Sequence, residues 1–378
     1  RSTQGVSSAA SDVYKRQKKE YEKKKTKALE REIARCNNIQ MAKKIQLNSA
    51  YGAIGNNYFR YYKLDNAEAI TLGGQLSIRW IEAKMNSYIN NVLKTNNVDY
   101  VVASDTDSIY LNLGPLVERV YKGREKTTED IVSFLDKICQ MEFEKYIESS
   151  YKELAEYVNA YEQKMFMKRE TIADRGIWTA KKRYILNAWD VEGVRYSEPK
   201  LKIMGIEAVK SSTPAPCRSM IKDALKIMMS ETEDDVINFI EKSRAQFKKL
   251  PPSEIAFPRT VSDVDKYKSN LSIYAKGCPI HARGALLYNH HIKNKKLGEK
   301  YNVINNGEKI KFILLKKPNP IHENVISFIN DFPVELGLLP YVDYDTQFDK
   351  AFLEPLRAIL DSIGWSVEKT ATLASFFS

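Results

Sequence analysis

YVVASDTDSIY occupies residues 100–110. Residues 100–103 and 109–113 are short β-rich runs, and Ser-Asp-Thr-Asp-Ser between them predicts a β-hairpin. Asp105 and Asp107 are two apart, so an extended backbone puts both side chains on one face. Carboxylates placed this way repel each other unless they are solvated or share a cation. A hard divalent cation such as Mg²⁺ takes oxygen ligands and keeps several waters, so two carboxylates plus substrate phosphates suit it. An EF-hand does not fit: counted from Asp105, the Gly position is Tyr110 and the final Glu position is Leu116. The other reading is a solvated polar turn in which Asp and Ser bond their own backbone. The flanking apolar runs favour carboxylates held on strands, but the spacing alone leaves both readings open.

Upstream, residues 18–45 are strong helix formers with few turn signals. Leu29, Ile33 and Cys36 recur at helical spacing, giving one long, thin-striped basic helix. Near its end Lys44, Asn48 and Tyr51 lie at i, i+4 and i+7 on one face, and Gly52 and Gly55 are expected to end it. That face offers a cation, an amide and a phenol. A triphosphate calls for the first two, and a hydroxylated ring packs under a base pair; an ordinary amphipathic helix end has the same look. Between residues 65 and 93 the steps of Ile78, Ile81, Met85, Ile89 and Val92 predict a second, amphipathic helix.

Downstream, residues 129–169 read as helical and 184–189 as a strand. A helical stretch runs from Pro214 to about Leu250 and ends at Pro251 and Pro252. Residues 301–304 and 309–315 flank Asn305-Asn306-Gly307, a second hairpin signal. The order of elements predicts an α+β chain.

Composition narrows the class. The 378 residues suffice for two or three domains, and 43% apolar with 28% charged residues is a globular composition. The longest apolar runs are a few residues, where a span needs ~18, so no membrane segment is expected. No leader is expected either, and Cys36, Cys139, Cys217 and Cys278 are too scattered for a disulfide framework. The start at Arg1 reads as that of a fragment or a processed product, and residues 1–17 as a polar or foreign tail. Lys and Arg number 59 against 48 Asp and Glu, a net charge of +11. Residues 15–44 hold twelve basic and four acidic side chains. Such a surplus fits a phosphate-rich partner or a solvated helix face.

Taken together, KKIQLNSAYG (43–52) and YVVASDTDSIY resemble the second and third polymerase motifs of family B DNA polymerases. YFRYYKLDNAEAIT (58–71), WTAKKRY, YSEPKLKIMG, VKSSTP and CPIHARG are similar to the replicative polymerases of tailed phages. The resemblance runs from about residue 18 to the C-terminus. It implies a right-hand architecture: a partial helical fingers at 18–55, an antiparallel-sheet palm at 56–201 and a mostly helical thumb at 202–378. By the resemblance, Asp107 holds two Mg²⁺ ions and Asp105 is its less directly ligating neighbour. Lys44 and Asn48 face the incoming dNTP, with Lys44 also assisting the leaving group, and Tyr51 lies under the nascent pair. Lys182 and Tyr184, with Lys181 and Arg183 in the same KKRY motif, grip primer–template DNA. The family also uses a metal-binding Asp upstream of these motifs, so this chain is expected to be inactive alone and to need an upstream polymerase half. Localisation in the cytoplasm, that of the host if viral, follows.

Smaller signals remain. Cys278 and His281 form one CxxH pair followed by His290 and His291, whereas a structural zinc site usually takes two such pairs, so a turn is expected there. Leu373, Phe376 and Phe377 in the C-terminal stretch resemble a sliding-clamp-binding peptide; a tail folded back on the thumb is the other reading. Two further functional classes compete with the polymerase: a duplex-binding module without chemistry, and a metal-dependent nuclease using the same carboxylates. The nuclease lacks a nearby His or Lys base and leaves the Lys44–Asn48–Tyr51 face unexplained.

Overall fold

The computed structural model describes residues 26–269 and 272–368, together with 17, 20, 21 and 24. The chain divides into two units, Arg1–Asp174 with Asn187–Lys200, and Arg175–Leu186 with Leu201–Ser378. The elements are helices and antiparallel sheets, an α+β chain as expected.

In the first unit, α1 (Lys27–Ile54) is one unbroken helix. Gly52 lies inside it, and of the two glycines expected to end it Gly55 is the one that does. Helix α2 (Leu64–Leu93) buries Ile81, Met85 and Ile89 at four-residue steps. Ile78 is only half-buried and Val92 is exposed, which shortens the expected stripe at both ends. The stripe packs with Tyr100, Val101, Leu116, Phe143, Ile147, Tyr151 and Leu154 in the unit's core. Burying each large side chain contributes about 1.5–3 kcal/mol.

Strands β1 (Val101–Asp105) and β2 (Ser108–Leu111) form the predicted antiparallel hairpin. After α3 (Gly114–Val120), Thr127 and Asp130 make a capping box that starts α4 (Thr128–Ile138). A five-residue π-turn, Cys139–Phe143, leads into α5 (Glu144–Tyr157). Helix α2 is tied to α5 by the Trp80 indole donating to the Ser150 carbonyl at 2.9 Å and by Lys84–Glu153 at 2.7 Å. The helical reading of 129–169 therefore stops at Tyr157. Beyond it, Arg169 is nearly buried and forms ion pairs with Asp136 and Asp190, fastening α4 to residues 187–200.

Strands β3 (Thr171–Ala180), β4 (Arg183–Val191) and β5 (Val194–Met204) form a three-stranded sheet in that order. Only the middle strand was expected from sequence. The second unit then runs through α6 (Ala215–Ser230) and α7 (Glu233–Phe247). The helical stretch expected over 214–250 is made of two helices, because Thr232 and Asp235 build a capping box that begins a new one. Helix α8 (Pro252–Ile255) starts on the proline.

Strands β6 (Phe257–Thr260), β7 (Lys309–Leu314) and β8 (Val325–Phe328) form the last sheet, with helix α9 (Ile280–Asn294) laid against β8. Gly284 makes that contact close: a Cβ there would sit 2.4 Å from the Ser327 hydroxyl. The expected hairpin about Asn305–Gly307 is corrected. The turn exists, with Gly307 at positive φ, but residues 301–304 are not a strand. Strand β7 pairs instead with β6, Phe257 opposite Phe312, and with β8. Among the described residues no helix is long and apolar enough to cross a membrane.

Candidate active site

The hairpin that carries the two carboxylates is aimed by α2. The Asn86 side-chain oxygen accepts the backbone N–H of Tyr100 at 2.8 Å and of Val101 at 3.1 Å, and its amide donates to Asp99 at 2.8 Å. One turn on, Asn90 does the same for the approach loop, donating to the Val98 carbonyl at 2.8 Å and accepting its N–H at 3.1 Å. Ser104 adds a bond to Glu82 of α2 at 3.3 Å. Sequence reasoning passed over Asn86 and Asn90; the available signal was an amide beside a buried stripe, four residues from its twin.

The strand alternation invoked for Asp105 and Asp107 does not apply at the tip. Asp105 is the last residue of β1, opposite Ser108, and the chain reverses through Thr106 and Asp107. Asp107 is therefore a turn residue and exposed, while Asp105 is half-buried. The turn is tight: the Asp107 N–H donates to the Asp105 carbonyl at 2.5 Å, with Thr106 between them at φ 45°. The Thr106 hydroxyl donates to Asp105 Oδ1 at 3.0 Å, and the Ser108 hydroxyl to the Asp105 carbonyl at 3.2 Å. Both carboxylates thus sit at the hairpin tip, brought there by the turn. Their donor set, hard oxygens with one carboxylate open to solvent, fits a Mg²⁺ ion. Among the described residues no group of three or more His, Cys, Asp or Glu side chains is arranged to hold a metal ion.

Lys44, Asn48 and Tyr51 are all exposed on α1, on one face as their spacing predicted. Tyr51 is held from α2: its hydroxyl lies 2.8 Å from the Thr71 hydroxyl, which itself donates to the Ala67 carbonyl at 2.9 Å. A hydroxyl has one hydrogen, so Tyr51 is the donor and Thr71 the acceptor. Helix α2 is the element common to both features. Thr71 fixes the tyrosine near its start and Asn86 fixes the hairpin fifteen residues on, roughly 22 Å along the axis at 1.5 Å per residue.

The KKRY segment lies in the second unit. Lys181 and Lys182 form the exposed turn between β3 and β4, with Lys182 at φ 60°. Gly205 permits that turn: a Cβ there would meet the Lys182 carbonyl at 2.1 Å. Arg183 pairs with Glu207 at 2.8 Å. Tyr184 is buried beside Trp178, ring centroids 6.3 Å apart, so it underpins the turn from within. In the CxxH stretch, the Cys278 thiol faces the Pro279 carbonyl, and burial lowers the affinity of the His281 and His291 rings for a proton. Leu373, Phe376 and Phe377 lie outside the described residues.

Residues 12–363 match the description DNA polymerase family B. The chain is 35% identical over 354 residues to the DNA-directed DNA polymerase of Enterobacteria phage T4, covering 90% of this chain and 39% of that protein. It is 36% identical over 351 residues to the DNA-directed DNA polymerase of Escherichia phage RB69, covering 89% and 38%. The chain thus spans about two fifths of the length of the curated relatives it matches. With its carboxylate hairpin and its Lys44–Asn48–Tyr51 helix inside the matched residues, the chain belongs to DNA polymerase family B.

Proposed function

We propose that this chain carries part of the nucleotidyl-transfer machinery of a DNA-directed DNA polymerase, adding dNTPs to a primer 3′-hydroxyl on a DNA template. One observation carries the reading furthest: α2 holds, through Asn86, the start of the hairpin that carries Asp105 and Asp107 and, through Thr71, the Tyr51 of the exposed Lys44–Asn48–Tyr51 face. In this reading residues 18–55 are part of the fingers, 56–201 the palm and 202–378 the thumb.

Family B polymerases generally use divalent metal ions. Asp107, open to solvent at the tip, is the chief ligand, and Asp105 the lesser one. Asp107 and Asp105 would hold two Mg²⁺ ions, which would supply a lowered pKa at the primer 3′-hydroxyl and neutralisation of the triphosphate and leaving pyrophosphate. Lys44 sets a positive charge against the triphosphate and places a proton donor at the leaving group. Asn48, one turn on, orients the same phosphates. Tyr51, its hydroxyl engaged by Thr71, has a ring fixed in place to pack under the nascent pair. Lys181 and Lys182 neutralise phosphates of the duplex, with Arg183 and the buried Tyr184 supporting their turn. Position and charge account for most of the effect.

A sliding clamp captured by Leu373, Phe376 and Phe377, and action in the cytoplasm of an infected host, complete the reading. The reading also holds that a further carboxylate from an upstream polypeptide is needed. The test is primer extension with Mg²⁺ and four dNTPs, by this chain alone and with that polypeptide added. Extension only in the mixture, abolished by Asp107→Ala with duplex binding retained, is the expected result. Duplex binding without extension in either case sinks the catalytic reading in favour of a non-catalytic duplex-binding half.

A further inference from the structure

Resting on the reading of this chain as one part of a polymerase that an upstream polypeptide completes, we propose that one face of α2 is where a helix of that polypeptide docks. The face is the seam of Ala69, Leu72, Leu76, Arg79 and Ala83. Ile81, Met85 and Ile89 line the buried side of α2. Leu72 and Leu76 lie nine residues before Ile81 and Met85, about two and a half turns, so they stand on the opposite side of the helix. Steps of three, four, three and four residues join the five seam positions, the a/d spacing with which one helix packs along another. All five are exposed, Leu72 at 63% and Leu76 at 43%.

Exposed apolar side chains are unevenly shared between the two units. Among the described residues, twenty-two of the twenty-seven large ones belong to the first unit and five to the second, although the units are of similar size. Single exposed leucines are ordinary, whereas a bias of this kind marks a surface that another polypeptide covers. The chain spans about two fifths of the length of the relatives it matches, so most of their length lies outside the match and supplies the occupant. Arg79 forms no ion pair among the described residues, which selects a partner helix with an acidic residue opposite it. At its C-terminal end the seam reaches Asn86, three residues beyond Ala83, whose side chain holds the start of the carboxylate hairpin. A helix docked along α2 thus brings its chain beside the hairpin, where the proposed function needs a further carboxylate.

Isothermal titration calorimetry of the 378-residue chain with the upstream polypeptide, the one that supplies the further carboxylate, is the test. Leu72→Glu with Leu76→Glu puts two charges into the seam and should weaken binding at least about thirtyfold, the loss of one hot spot. Both side chains are exposed in the chain by itself, so its thermal midpoint and its duplex affinity should stay those of the parent. Arg79→Glu should weaken binding about tenfold. Val334→Glu with Leu339→Glu, exposed on the second unit, should leave it unchanged. Binding within threefold of the parent in the double leucine variant overturns the docking face. A thermal midpoint several degrees lower in that variant overturns it too, because the leucines then serve the chain's own fold. Self-association of the parent in sedimentation velocity, lost in the double leucine variant while the polypeptide still binds, gives the face to a second copy and overturns the occupant. A parent chain with no affinity for the polypeptide overturns the two-part reading itself and the inference with it.

Discussion

Replacing Asn86 with alanine should loosen the carboxylate hairpin without altering either carboxylate. Asn86 accepts the N–H groups of Tyr100 and Val101 and donates to Asp99. The Val101 N–H keeps a second acceptor in Asp99 Oδ1 at 3.1 Å. Tyr100 is buried, and Asn86 is the acceptor its N–H uses. A buried donor left unpaired costs about 1–3 kcal/mol, and the lost bond to Asp99 adds about 0.5–1 kcal/mol. A total near 2 kcal/mol corresponds to roughly a 30-fold shift in the local opening equilibrium. Hydrogen exchange followed by mass spectrometry reads this directly. Peptides covering residues 98–112 should exchange about 30-fold faster in Asn86→Ala, with peptides of the second unit unchanged. Exchange within threefold of the parent in Asn86→Ala, or equal acceleration along the whole chain, refutes the assignment of Asn86 as the local fastener.

Gly284→Ala should destabilise the second unit by about 1–3 kcal/mol, since its methyl would lie 2.4 Å from the Ser327 hydroxyl; differential scanning calorimetry should show a midpoint several degrees lower. Bonds from Lys300 and Tyr301 hold the Glu335 carboxyl down at about 2, against an ordinary 4.5. Its folded affinity for a proton is depressed, so its contribution is full above the ordinary range and lost as the pH falls from about 4.5 to about 2. Thermal midpoints against pH should therefore fall less steeply over that window in Glu335→Gln. Tyr51→Phe and Thr71→Val each break the same 2.8 Å bond, so in the extension assay their effects on the KM for dNTP should be similar and the double variant no worse than either.

The helices were legible because their signals are local. Ile81, Met85 and Ile89 repeat at four residues whatever lies elsewhere in the chain. The hairpin at 100–110 was legible because both strands and the turn fit within eleven residues. What failed was non-local. Strand β7 was assigned a neighbouring partner, whereas it pairs with Phe257–Thr260, about fifty residues earlier, a four-residue strand containing Pro258. Strand β5 was missed for a related reason: Pro199 and its charged neighbours argue against a strand, yet β5 is an edge, where a missing N–H costs no ladder bond. Asp107 shows a third kind of failure. Alternation along a strand and reversal at a turn both bring residues two apart to one end of a hairpin, and the spacing is the same in both. Thr232-Glu-Asp-Asp235, by contrast, is a local signal that divides the helical stretch in two, readable as a capping box.

Helix α2 raises a mechanical question, because its two fasteners are separated by Gly73 and Gly74. An added Cβ at either glycine would meet no atom within 4 Å, so no close approach demands them. Each costs about 1 kcal/mol relative to alanine in a helix interior. On either side, the hydroxyls of Thr71 and Ser77 donate back to carbonyls four residues earlier, at 2.9 and 2.8 Å, an arrangement that bends helices. The helix is thus weakest between the turn that holds Tyr51 and the turn that holds the carboxylate hairpin. If that weakness serves motion of the α1 face relative to the hairpin, the Gly73→Ala, Gly74→Ala double variant should be about 1–2 kcal/mol more stable and slower in nucleotide addition. If α2 acts as a rigid spacer, the double variant should gain the stability and keep the rate. Chemical denaturation alongside single-turnover extension separates the two, and a fall in stability would refute the premise that the glycines answer no steric need.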